Sequence, residues 1–264
     1  MSYTLYPHTS EDMHEIPDNT IQLIVTAIDE RVWASVVESR AANIVPFKII
    51  LECYRVLKQD GVFVLNIGKP VLNNPLYKAL KQQSRLQEPH LLFPYSLAQD
   101  IELSTCFDLR FDFTTIKEIK PNTETFIPIK NGVVPKLDFT DAPIHLLCNI
   151  EYWFVFSKGT KIKLNESFLP KTLPKGTSQD IYMLPLAYVV PSMTKYNQPI
   201  PSPFNEIVLH MLLRLFTDEG DTVLDPCAGT GTLGKVALKL KRKPIMYETD
   251  PTLIPLIHQN MKVI

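Results

Sequence analysis

The stretch Asp221 to Asp250, "DTVLDPCAGTGTLGKVALKLKRKPIMYETD", constrains the fold more than any other part of the chain. "DTVLD" is a short apolar run with the look of a buried strand. A glycine-bearing turn follows, then "TLGKVALKLK" at helical spacing, then "KPIMYE" as a second strand with an acidic end. Strand, turn, helix and strand in that order make a parallel unit of the doubly wound type, whose ligands gather at the carboxyl ends of the strands. Two nucleotide sites can be read into the turn. From Gly229 it runs G-T-G-T-L-G-K-V, one residue away from a phosphate-binding P-loop. A P-loop needs a hydroxyl after its lysine to hold magnesium, and Val236 has none. Four residues, Asp225 to Ala228, also separate the strand from the first glycine. Lys235 is therefore expected in the first turns of the helix, facing solvent. The second reading uses more of the residues. Gly229 and Gly231 let the backbone approach a ligand closely. Asp225 can accept a hydrogen bond from the ligand or from loop amides, and Thr232 can cap the helix. Glu248, 23 residues after Asp225, ends the next strand, where a carboxylate can accept both hydroxyls of a ribose. The G-T-G-T-L-G spacing also fits a nicotinamide site, but the intervening "DPCA" argues against one.

The rest of the chain fits one α/β domain over residues 1–264. "IQLIVT" (Ile21 to Thr26) reads as a buried strand. Pro46 to Lys58 has helical spacing and ends in "KQDG", with Gly61 as the expected cap. "VFVLNIG", "FDLRFDFTTI" and "EYWFVFSKG" read as strands, and Pro94 to Cys106 as a helix. "PFNEIVLHMLLRLF" and "PTLIPLIHQNM" read as helices. Residues 160–203 are proline-rich and are expected to form an irregular insertion. A hydrophobic content of 45% supports a sizeable core, and no apolar run approaches the ~18 residues of a membrane span. The four cysteines are scattered without a C-x-x-C pair, and the six histidines lack ligand spacing. Neither a metal site nor a disulfide framework is expected, and a reducing cytoplasm is the default.

The string "VLDPCAGTGT" resembles the cofactor segment of the S-adenosylmethionine-dependent DNA amino-methyltransferases, which methylate the exocyclic amine of adenine or cytosine. The order of parts resembles the permuted β-class of that family, with the catalytic half first and the cofactor turn last. The resemblance extends over nearly the whole chain, through "SEDMHEIPDNTIQLIVT", "ECYRVLKQDGVFVLNIG", "CFDLRFDFTTIKEIKP" and "EYWFVFSKG". It implies an α/β, doubly wound, mostly parallel sheet of the class I methyltransferase (Rossmann-like) type, circularly permuted. It implies S-adenosylmethionine as cofactor, held by Asp225, Pro226, Cys227, Ala228, Gly229, Thr230, Gly231, Thr232 and Glu248. "PIPSPFNEIVLHMLLRLF" resembles the family's helix that covers the methionine end, which adds Phe204. The implied partner is double-stranded DNA with its target base flipped out. A partner subunit or a homodimer is compatible with the resemblance.

The departure from the family falls at the catalytic motif. After "LIVT" the family carries Asp, Asn or Ser, then two prolines and an aromatic. Here Ala27, Ile28, Asp29 and Glu30 occupy those positions, and the next aromatic is Trp33. In one reading, Asp29 or Glu30 supplies the acceptor for the target amine and Trp33 the stacking face. In the other, the site is impaired and the fold serves as a DNA-binding or regulatory subunit. Prolines lock φ and fix their carbonyls, which Ile28 and Asp29 do not do. A methyltransferase acting on RNA or a small molecule is a third reading.

The net charge of −1 announces no global attraction to nucleic acid. Between Lys158 and Ile200, six lysines face only Glu166 and Asp180. The family's target recognition occupies this interval, so Lys161, Lys163, Lys171 and Lys175 are the expected phosphate contacts.

Overall fold

The computed structural model describes residues 2–27, 45–68, 93–117, 126–129, 132–135, 150–165, 187–190 and 204–262. Ten strands are β1 (Thr4–Tyr6), β2 (Ile21–Ala27), β3 (Leu57–Gly68), β4 (Asp108–Lys117), β5 (Phe126–Ile129), β6 (Gly132–Pro135), β7 (Ile150–Ser157), β8 (Ala187–Val190), β9 (Thr222–Asp225) and β10 (Lys243–Tyr247). Five helices are α1 (Val45–Val56), α2 (Phe93–Ser104), α3 (Glu206–Phe216), α4 (Thr232–Lys239) and α5 (Ile254–Lys262). Eight strands form one sheet in the order β1-β10-β9-β2-β3-β7-β4-β8, and β5 pairs with β6 separately. All neighbours in the large sheet are parallel except at β7, which runs antiparallel to both β3 and β4. The C-terminal β9-α4-β10 unit thus docks beside β2, a strand from the start of the chain.

The central strands are apolar on both faces because helices cover both. Phe63, Leu65 and Ile67 of β3 and Phe154 and Phe156 of β7 pack with α1 and α2 on one side. Val62, Val64, Trp153 and Val155 point to the other, against Leu209 and Leu212 of α3 and Val236 of α4. This explains why "IQLIVT" and "VFVLNIG" are continuous apolar runs rather than alternating ones.

Four expectations are corrected. Gly61 caps no helix: α1 ends at Val56 and the chain passes directly into β3. The β2/β3 register jumps from Ile21↔Leu57 to Leu23↔Val62, so Lys58–Gly61 form an irregularity in the strand. A side chain at Gly61 would stand 3.1 Å from the Gln22 carbonyl oxygen, so the glycine serves close approach, not a cap. Second, Thr232 is the first residue of α4 and not its cap. Gly231 holds the capping position at φ 74°, and the Thr232 hydroxyl meets that of Thr230 at 3.0 Å. Third, Lys235 does not stand free in solvent, because its ammonium pairs with Glu206 at the start of α3 at 2.7 Å. Fourth, residues 160–203 are not wholly irregular: β8 joins the sheet edge parallel to β4. The N-terminal edge strand β1, three residues long, carried no sequence signal strong enough to find it.

Candidate cofactor site

The strand order reverses between β9 and β2. From β9 the chain crosses through α4 to β10 on one side, and from β2 it crosses through α1 to β3 on the other. The carboxyl ends of β9 and β2 therefore splay apart around a crevice, the usual ligand position in such sheets. Asp225 and the turn after it lie on one lip. Thr26 and Ala27 lie on the other, with Ala27 opposite Asn66 of β3.

The turn is held from several directions. The Ser10 hydroxyl donates to the Pro226 carbonyl at 2.7 Å, and the Ala228 amide donates to Tyr247 O at 2.9 Å. The Gly231 amide donates to Ala228 O, and the Asn260 side-chain amide from α5 donates to Thr230 O at 2.7 Å. Gly229 and Gly231 both adopt positive φ, 54° and 74°, which glycine tolerates best. Their surroundings differ. A Cβ at Gly231 would press on Ile257 at 3.1 Å, whereas one at Gly229 would meet nothing within 4 Å among the described residues. Gly231 is thus needed for packing, and Gly229 faces open space. Glu248 crosses this turn. One of its oxygens accepts from the Gly229 amide at 2.7 Å, and the other accepts from the Asp250 amide at 2.8 Å. Each carboxylate oxygen keeps a further acceptor site, so Glu248 can bind loop and ligand together.

Asp225 is fully buried. One of its oxygens accepts from the Cys227 amide at 3.2 Å, and the other, Oδ2, has no hydrogen-bond partner among the described residues. The buried Thr26 hydroxyl is likewise unsatisfied among them. Burial, aided by the neighbouring Glu248 charge, pushes the Asp225 carboxyl up to about 7, despite the Cys227 amide and the nearby Thr26 hydroxyl. Burial also drives the Cys227 thiol up to about 12, so it is no nucleophile at neutral pH. Two orphaned polar atoms at a strand-order reversal mark a place for a polar ligand group. Together with the open cradle over Gly229 and the acceptors of Glu248, these donors and acceptors suit S-adenosylmethionine, which carries an ammonium, a carboxylate and a ribose.

The other anticipated residues are distributed as follows. Phe204 precedes the Asn205 cap of α3, and its ring packs on Trp153 at 5.7 Å, at the crevice end of the sheet. Asp29, Glu30, Lys171 and Lys175 lie outside the described residues. Lys161 and Lys163, expected as phosphate contacts, lie in the segment that follows β7. Because β7 is antiparallel, the segment after it sits at the amino ends of the parallel strands, opposite the crevice. The Lys163 amide donates to Asp60 O there, and its ammonium is held at 2.8 Å by both Asp218 and Asp221. A lysine neutralised by two carboxylates has little charge to offer a phosphate. Sequence reasoning missed Ser10 and Thr26, because neither belongs to the glycine turn; only the pairing of distant strands brings them to it. Among the described residues no cluster could hold a metal ion, and no helix is long and apolar enough to cross a membrane.

Comparison with known proteins agrees with this architecture. The Type II methyltransferase M.MjaI of Methanocaldococcus jannaschii is 26% identical over 220 residues, covering 80% of this chain and 65% of its own length. The Type II methyltransferase M.MwoI of Methanothermobacter wolfeii is 29% identical over 199 residues, covering 75% of this chain but 23% of its own. The chain thus spans under two thirds of either relative. Among solved structures, the PvuII DNA methyltransferase (cytosine-N4-specific) superposes with a TM-score of 0.65 at 17% identity, over 98% of this chain and 87% of that one. The M1.HpyAVI–S-adenosylmethionine complex does so at 0.56 and 14%, over 98% and 100%. These likenesses show the class I methyltransferase fold. The profile of the DNA methylase family (N6_N4_Mtase) matches residues 45–259, most of the molecule, and the chain belongs to that family.

Proposed function

We propose that this protein binds S-adenosylmethionine in the crevice between β9 and β2 and uses it to methylate an exocyclic amino group of adenine or cytosine in DNA. The observation that carries the reading is the fully buried Asp225 oxygen, without a hydrogen-bond partner among the described residues, beside the open cradle of Gly229. When bound, the cofactor supplies an electrophilic methyl group on a sulfonium. The chain's own part is placement. Asp225 and Thr26 receive the cationic amino-acid end, Glu248 accepts the ribose hydroxyls, and Gly229 admits the ligand against the backbone. Phe204, seated on Trp153, covers the methionine end. The flipped base then enters from the β2 side, where Ala27 begins the segment that continues through Asp29 and Glu30. Lys161, Lys171 and Lys175 are the candidates for phosphate contacts.

The test is transfer of a labelled methyl group from the cofactor to mixed-sequence DNA, followed by hydrolysis to nucleosides. Label in N6-methyladenine or N4-methylcytosine supports the proposal, and Asp29→Ala then asks whether the altered segment supplies the acceptor. A second reading rests on the sequence Ala27-Ile28-Asp29-Glu30, which lacks the rigid proline pair. It makes the protein a cofactor-binding, non-catalytic partner of DNA. Tight cofactor binding with no label on any base would favour it over the first.

A further inference from the structure

The switch-point strands bring together two buried polar atoms that have no hydrogen-bond partner among the described residues. Ile24 of β2 pairs with Leu224 of β9, so Thr26 and Asp225 emerge side by side at the crevice. Both residues are fully buried. Thr26 Oγ1 and Asp225 Oδ2 have no hydrogen-bond partner among the described residues. The groups around Asp225 explain why this is unstable as it stands. Glu248, from the end of β10, is a second carboxylate. Cys227 on the same turn is a partly buried thiol and Cys53 on α1 a fully buried one, the latter well above its ordinary range through burial. None of the described groups acting on Asp225 is a cation. A fully buried carboxylate without a cation takes up a proton instead.

We propose that Thr26 is a positioning residue for Asp225, and that the pair forms a proton-exchanging seat for the ammonium group of the cofactor. This rests on the cofactor reading above. Before binding, Asp225 carries a proton on Oδ2. As the ligand's ammonium enters, that proton leaves to solvent and the carboxylate pairs with the cation. The Thr26 hydroxyl and the Cys227 amide donate to the carboxylate so formed. One positive charge arrives and one departs, so the crevice stays near neutral. The carboxyl's raised range, about 7, places the exchange in the physiological window.

Calorimetry on the full chain tests this with three probes: S-adenosylmethionine, S-adenosylhomocysteine, and methylthioadenosine, which lacks the amino-acid end. Titrations in buffers of different ionisation enthalpy count protons. The expected result is release of nearly one proton at pH 6 and almost none at pH 8 for the first two ligands. Their affinity should rise about tenfold over that interval, one decade per pH unit below the carboxyl's range. Methylthioadenosine should show neither effect. Thr26→Val should weaken the two amino-acid ligands by about tenfold, the value of a hydrogen bond to a charged group, and spare methylthioadenosine. Thr26→Ser should restore them. The proton count uses the unmodified protein, so it stands even if Thr26→Val folds poorly. Binding of all three ligands without proton release overturns the seat while leaving the cofactor reading intact. Equal weakening of all three by Thr26→Val overturns the role of Thr26. Absence of binding by any of them overturns the cofactor reading itself, and the seat with it.

Discussion

At the scale of single residues, the site depends on a few polar atoms whose surroundings decide their charge and reach. Glu248 joins the glycine turn to the strand after it through the Gly229 and Asp250 amides. Glu248→Ala should therefore weaken S-adenosylmethionine by about 1–3 kcal/mol, through the lost ribose acceptors and the loosened turn together. Titration of parent and variant checks it, and equal affinities would remove the ribose assignment. Asp225 should leave a signature in stability. Its folded-state carboxyl is raised from 3.8 to about 7, so the folded protein holds a proton that the unfolded chain gives up more easily. The stability this contributes is full below pH ~4 and is lost as pH rises to about 7. Asp225→Asn mimics the protonated form. In the ligand-free protein it should be increasingly more stable than the parent from pH 4 to 7, by up to about 4 kcal/mol, and the gap should be level above that. Denaturant midpoints across that range measure the difference. A constant gap would mean that Asp225 is ionised in the fold.

At the scale of elements, close packing of α4 on β10 fixes where the turn points. Gly234 is the third glycine of the G-T-G-T-L-G spacing. A Cβ there would come within 2.5 Å of the sulfur of Met246, a fully buried residue. Gly234→Ala gains helix propensity of up to about 1 kcal/mol but overpacks the helix–strand contact by about 1–3 kcal/mol. A net loss of stability is expected in urea unfolding, whereas a gain would show that Met246 can move aside. The same elements show what a sequence makes legible. The β9-α4-β10 unit was readable because strand, turn, helix and strand are contiguous and each has its own period. The direction of β7 was not, since a strand buried on both faces has the same apolar run whichever way it lies. The helix end at Val56 was misplaced because "KQDG" has turn chemistry, yet in the fold it is an excursion within β3. The N-cap of α3 at Asn205, which accepts from the Ile207 amide at 2.8 Å, lay within the segment read as helical from Pro203.

At the scale of the whole molecule, sheet order turns scattered residues into a site. Thr26 and Asp225 lie 199 positions apart in the chain, and Ser10 and Pro226 lie 216 apart, yet both pairs meet at the crevice. Sequence spacing shows only local relations, which is why it points to Glu248 as a candidate and not to Ser10 or Thr26. The same topology sets Lys161 and Lys163 at the end of the sheet away from the crevice. If the crevice at Gly229 is the cofactor site, a side chain placed there must exclude the ligand. Equilibrium dialysis of labelled S-adenosylmethionine against the parent and against Gly229→Leu tests it most directly. A Cβ at Gly229 meets no atom of the described residues within 4 Å, so the variant should fold with the backbone strain of positive φ, roughly 1–2 kcal/mol. The parent is expected to bind one equivalent and the folded variant to bind none, because leucine fills the ligand's space. A parent that does not bind, or a variant that binds as well as the parent, would show that the crevice at Gly229 is not the cofactor site.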